Sequence, residues 1–111
     1  MKQVVYKKLV RDRIPDIIAA DGRRAKTRVL GEHEYVSELK RKLAEEVEEF
    51  QASGDAGELA DIMEVVYALA VHLGVNPPEL EKMRQAKRDE RGGFDRKIFL
   101  IESEINEEKG D

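Results

Sequence analysis

The chain has 111 residues, enough for one hydrophobic core and too few for two. Its 24 acidic and 20 basic residues leave a net charge of −4, which argues against broad attachment to a nucleic-acid backbone, and without cysteine it has neither a disulfide framework nor a thiolate metal site. Hydrophobic residues make up 41%, charged 40% and aromatic 5%, so the expected core is modest, aliphatic and carried by amphipathic helices, a kind of core that oligomerisation often completes.

The opening MKQVVYKK lacks the apolar run of a signal peptide, and no later segment is long enough to span a membrane. A soluble, cytoplasmic protein is expected. After the apolar stretch Val4 to Val10, broken by Lys7 and Lys8, the run Arg11-Asp12-Arg13-Ile14-Pro15 predicts a short helix. Proline suits a first helical turn, Asp12 is the expected cap, Ile14, Ile17 and Ile18 are its apolar side, and Gly22 stops it. Residues 23–31, with Arg23, Arg24, Lys26 and Arg28, read as a basic loop or a brief strand.

From about Glu32 to Ala52, Val36, Leu39, Leu43, Val47 and Phe50 form one stripe of an amphipathic helix, and Gly54 is its predicted stop. Asp55-Ala56-Gly57-Glu58 has the form of a capping box, and a second stripe follows at Leu59, Ile62, Met63, Val66, Leu69, Ala70 and Leu73, ending at Gly74. Asn76-Pro77-Pro78-Glu79 starts a third long helix in the same way, carrying Leu80, Met83 and Lys87 as far as Gly92-Gly93. Phe94 to Ile101 read as an extended arm, and the tail from about residue 103 to Asp111 as frayed. The whole, 1–111, is taken as a single domain.

The informative residues are acidic. At about 100° per residue, Glu46 then Glu49 step off the first stripe along one flank, while Glu45 and Glu48 point elsewhere. Glu58 then Asp61 step off the second stripe in the same rotational sense. In an antiparallel hairpin turning about Ser53 and Gly54, the two flanks fall on one side, with Glu46 level with Asp61 and Glu49 level with Glu58. Four carboxylates so placed repel one another and raise their own pKa values, and a hard divalent cation removes that penalty. Magnesium is the expected occupant, since it prefers to be shared with water and phosphate oxygens. Glutamate-rich stretches also form plain solvated helix faces, and Glu58 also suits the third position of a capping box.

These acids, Glu-Glu-x-x-Glu at 45–49 and Glu-x-x-Asp at 58–61, resemble the signature of the MazG-like all-α nucleotide pyrophosphohydrolases. The opening Tyr6-Lys7-Lys8-Leu9-Val10-Arg11-Asp12-Arg13-Ile14-Pro15, with Lys87 and Arg91-Gly92-Gly93-Phe94, resembles a small branch labelled phosphoribosyl-ATP pyrophosphohydrolase-like, so the likeness runs from Tyr6 to Leu100. The resemblance implies an all-α fold, a helical hairpin with additional short helices completed by oligomerisation to a dimer or tetramer. It implies magnesium, with manganese as an alternative, held by Glu46, Glu49, Glu58 and Asp61, and Glu45 as an outer partner or base. The implied reaction is hydrolysis of a nucleoside triphosphate to the monophosphate and pyrophosphate, in a house-cleaning role toward non-standard or excess nucleotides.

Within that reading, Glu45 or Glu49 would orient the attacking water. Lys8, Arg11, Lys87 and Arg91 would offset phosphate charge, and Gly92-Gly93 would let the backbone approach the anion. Phe94 suits either base stacking or a core anchor; His33 and His72 are taken as structural. One rival is a histidine-pathway enzyme acting on phosphoribosyl-ATP, and another a helical binding module without turnover. No membrane and no nucleic-acid polymer is expected as a partner.

Overall fold

The computed structural model describes residues 2–106 and contains four helices: α1, Ile14–Ala20; α2, Glu32–Ser53; α3, Ala56–His72; and α4, Pro77–Arg91. Among the described residues there is no strand, so the all-α expectation holds and residues 23–31 are a loop. The expected frayed tail lies partly outside the described residues. Two compact units are present, one formed by the chain up to Leu80 and one from Glu81 onward.

In the first unit, α2 and α3 pack along their lengths as an antiparallel hairpin. Gly54, at φ +70°, ends α2 in the left-handed conformation that glycine adopts without a Cβ penalty, and its N–H donates to the Phe50 carbonyl. At the open end, His72 Nδ1 lies 2.7 Å from Glu32 Oε1 and ties the two helices together. His72 is therefore a structural contact between elements, as expected for it.

The core is small. Among the described residues Leu39, Val65 and Ala70 are the buried hydrophobic ones, and Ile62, Val66, Leu69 and Leu43 are half-buried. Part of the predicted second stripe, Leu59, Met63 and Leu73, stays exposed, while Val65, which the stripe omits, is buried. The reason is that the apolar residues of α3 spread well beyond one stripe, so their periodicity leaves the buried side undetermined, and α2 covers one flank.

Helix starts differ from expectation at two places. Arg13, not Asp12, stands at the N-cap of α1, without a side-chain cap bond; the turn is closed by Ile14 N–H donating to the Arg11 carbonyl. Asp55 is at the N-cap of α3, but its carboxylate caps nothing; its own N–H donates to Ser53 Oγ at 3.1 Å. Asn76 behaves as predicted, its Oδ1 accepting from Glu79 N–H at 2.9 Å, and α4 ends at Gly92, φ +86°.

Candidate functional site

The hairpin register brings the predicted acids together. Ligand oxygens of Glu46, Glu58 and Asp61 lie within 4.8 Å of one another, and so do those of Glu45, Glu49 and Glu46. Glu46 belongs to both sets and joins the helices. Glu45, expected on the wheel to point elsewhere, is in the cluster: it sits four residues, about one turn, from Glu49, and the long side chain spans the remaining angle.

Glu46 is only 7% exposed, a nearly buried carboxylate that needs a compensating charge. Lys42, one turn earlier, supplies it, with Nζ 3.2 Å from Glu46 Oε1 and 3.5 Å from Glu45 Oε1. Burial alone would lower the Lys42 pKa, but its bond to Glu46 and the charges of Glu45 and Glu46 outweigh that and raise it. Lys42 was missed from the sequence, although a lysine four residues before a glutamate was a readable signal.

Not every charge is cancelled. The Glu49 carboxyl is held above the ordinary carboxylate range, chiefly by the negative charge of Glu46 and then by the hydrogen bond between the two. Glu58 is also raised, first by its partial burial and next by the charge of Asp61. Both shifts are those expected of carboxylates packed with too few cations.

Two of the predicted basic residues reach the cluster from the segment before α1. Arg11 Nη2 donates to Asp61 Oδ1 at 2.7 Å, and Lys8 Nζ to Glu45 Oε1 at 3.4 Å. Lys7 takes φ +47°, a left-handed bend immediately before Lys8, whose ammonium also stands 5.9 Å from the centre of the Tyr6 ring. Both pairs are well exposed, so their effect on stability is small and either cation can exchange an acid for another anion.

The other predicted residues, Lys87, Arg91, Gly92 and Gly93, belong to the second unit, at the end of α4 and the loop beyond. A Cβ on Gly93 would overlap the tip of the Arg88 side chain, which lies against that glycine. Phe94 is 97% exposed and anchors no core within the chain.

An all-oxygen donor set suits a hard divalent cation such as magnesium or manganese, and the uncompensated charge on Glu49 and Glu58 is what such an ion would remove. No family model matches the chain, and no solved structure matches it. A segment of 45 residues is 51% identical to an uncharacterized protein of Mycolicibacterium smegmatis; the match covers 40% of this chain and 46%, a little under half, of that protein. Among the described residues no helix is long and apolar enough to cross a membrane.

Proposed function

We propose that the chain is a divalent-cation-dependent nucleoside triphosphate pyrophosphohydrolase of the MazG-like kind, cleaving between the α and β phosphates to release the monophosphate and pyrophosphate. The observation that carries this reading is the convergence of Glu46, Glu49, Glu58 and Asp61 from two helices on one oxygen-lined patch, with cations of the same unit at its edge.

Glu46, Glu49, Glu58 and Asp61 would hold magnesium or manganese, which when bound supplies charge neutralisation for the phosphates and a more acidic water. Glu45 or Glu49 accepts a hydrogen bond from the attacking water and orients it toward the α phosphorus. The new bond joins the water oxygen to that phosphorus, the bond from the phosphorus to the bridging oxygen breaks, and pyrophosphate leaves with the electron pair. The water proton passes to that carboxylate. Arg11 and Lys8, now on Asp61 and Glu45, are the cations that transfer to phosphate oxygens when substrate arrives. Lys87 and Arg91, with Gly92-Gly93, are assigned to phosphate on their chemistry.

The assembly is a homo-oligomer, dimer or tetramer. Its support is that α3 leaves Leu59, Met63 and Val71 exposed, while only three hydrophobic residues are buried among the described residues.

The test is product analysis with standard and modified nucleoside triphosphates, and with phosphoribosyl-ATP, in magnesium or chelator. Magnesium-dependent monophosphate plus pyrophosphate is the expected result. Orthophosphate as the product, or no product from any substrate, rejects the reading.

A further inference from the structure

After α4 the chain makes one turn, closed by Lys97 N–H donating to the Phe94 carbonyl at 3.1 Å, and from there to residue 106 it forms no helix, turn or bend. Ile98, Phe99, Leu100 and Ile101 follow one another in this stretch and all four are exposed, Phe99 at 87% and Ile101 at 86%. Single exposed apolar residues are ordinary, but four in succession form a patch. The backbone is open as well, since the N–H and C=O groups of residues 98–105 make no hydrogen bond among the described residues. β-Branched and aromatic residues favour a pleated strand, and an apolar strand with unpaired edges is a template for another strand.

The charges around this run are sorted by sign. Arg96 and Lys97 precede it, Glu102 and Glu104 follow it, and the side chains of all four make no ion pair and no hydrogen bond among the described residues. Charges needed only to keep an apolar strand soluble have no reason to be sorted. Laid antiparallel on a second copy of itself, the segment brings each basic end beside an acidic end. Laid parallel and in register, it stacks each of the four charges on its own like. The pattern is therefore its own complement, and this selects a second copy of the chain as the partner.

We infer that residues 98–102 of two copies pair as a two-stranded antiparallel ribbon about a two-fold axis at Leu100. Such a symmetric pair sets one residue opposite its own copy. With Leu100 in that position, Phe99 faces Ile101 of the partner subunit, an aromatic against a β-branched side chain, and this occurs twice. Centring on Phe99 would set Ile101 opposite Lys97, whose left-handed φ of +60° does not continue a ladder, and centring on Ile101 would leave one apolar pair in place of three. The contact uses no residue of the acidic cluster and none of the uncovered flank of α3. It rests on the proposed assembly only in needing a second copy, and does not rest on the hydrolase reading.

The chain has no cysteine, so single cysteines report the contact without background. Full-length Ile98→Cys, Leu100→Cys and Glu102→Cys are oxidised at micromolar concentration in chelator and the covalent dimer is followed in time, with circular dichroism checking helix content. Opposed residues of an antiparallel pair have Cα atoms about 4.5–5.5 Å apart, within disulfide reach, whereas this register leaves two copies of residue 98, or of residue 102, about 14 Å apart. Leu100→Cys is expected to crosslink roughly tenfold or more faster than either other variant alone, and Ile98→Cys mixed with Glu102→Cys to match it. In the Leu100→Cys chain, Arg96→Glu with Lys97→Glu should slow the reaction about fivefold or more at low salt, and adding Glu102→Lys with Glu104→Lys should restore it. Equal rates at the three positions, no covalent dimer, or indifference to charge reversal overturns the inference. A non-covalent oligomer that crosslinks at none of these positions keeps the assembly reading and removes this contact. Crosslinking in the stated order by a chain that hydrolyses no triphosphate leaves the contact standing and removes the hydrolase reading.

Discussion

Glu46 is the residue on which the two acidic sets depend, since it alone belongs to both and is the buried one. Glu46→Gln keeps the shape and removes the charge, so it is expected to lower magnesium-dependent turnover by more than the 10–100-fold that outer partners of a metal site typically account for, read by pyrophosphate release. It should also abolish the rise in thermal midpoint expected for the wild type on adding magnesium. The stabilisation behind such a rise is about 2.7 kcal/mol for an ion present at about 100 times its dissociation constant. A pH dependence follows from Glu49 and Glu58. Both carboxyls are raised in the folded chain, so above the ordinary carboxylate range the folded state binds more protons than the unfolded one, and stability falls as pH rises through that interval. In chelator the thermal midpoint should therefore rise on acidification from about pH 7 to about pH 5, and magnesium should flatten the profile. Glu34 and Glu81, lowered chiefly by their bonds to Arg28 and Arg84, act with the opposite sign, and what they contribute is lost only below the ordinary carboxylate range.

At the scale of elements, the caps separate what polar residues promise from what they do. Asn76 accepts a bond from the Glu79 N–H, so Asn76→Ala should lower stability by about 1 kcal/mol in urea unfolding, while Asp12→Ala should change it little. All three long helices were legible in the sequence because their apolar residues recur at helical spacing and Gly54, Gly74 and Gly92 stop them, each with φ between +70° and +86°. The four-acid convergence was legible too, since it needs only helical periodicity and the position of one turn. Asp12 and Asp55 were misread because a short acid near a helix start has several local bonds to choose among, and the choice depends on coordinates rather than residue type. Val65 was overlooked because the apolar residues of α3 spread well beyond one stripe and do not single out its inner side. Lys42 escaped notice although its spacing to Glu46 was readable, because what gives the pair its role is the depth of Glu46, which spacing does not display.

For the whole molecule, the three hydrophobic residues buried among the described residues are too small a core for a chain of this length to be comfortable alone. Sedimentation velocity at micromolar concentration is expected to give a dimer or tetramer. Leu59→Glu with Met63→Glu, on the uncovered flank of α3, should shift it toward monomer and lower the thermal midpoint. A monomer in the wild type, unaffected by these changes, would instead mean that the exposed flank has no second copy to cover it.

The short connection from Ser53 to Asp55 also governs which changes of length the chain can accept. One residue added there would slide α3 by about 1.5 Å against α2 and turn it by about 100°, carrying Glu58 and Asp61 out of reach of Glu46. The same residue added in the loop between α1 and α2, where residues 23–31 form no element, would leave the acids as they are. Natural variants of this protein should therefore differ freely in the length of the first loop and hardly at all in the second, so that chain-length variation alone would mark the chemical end of the hairpin.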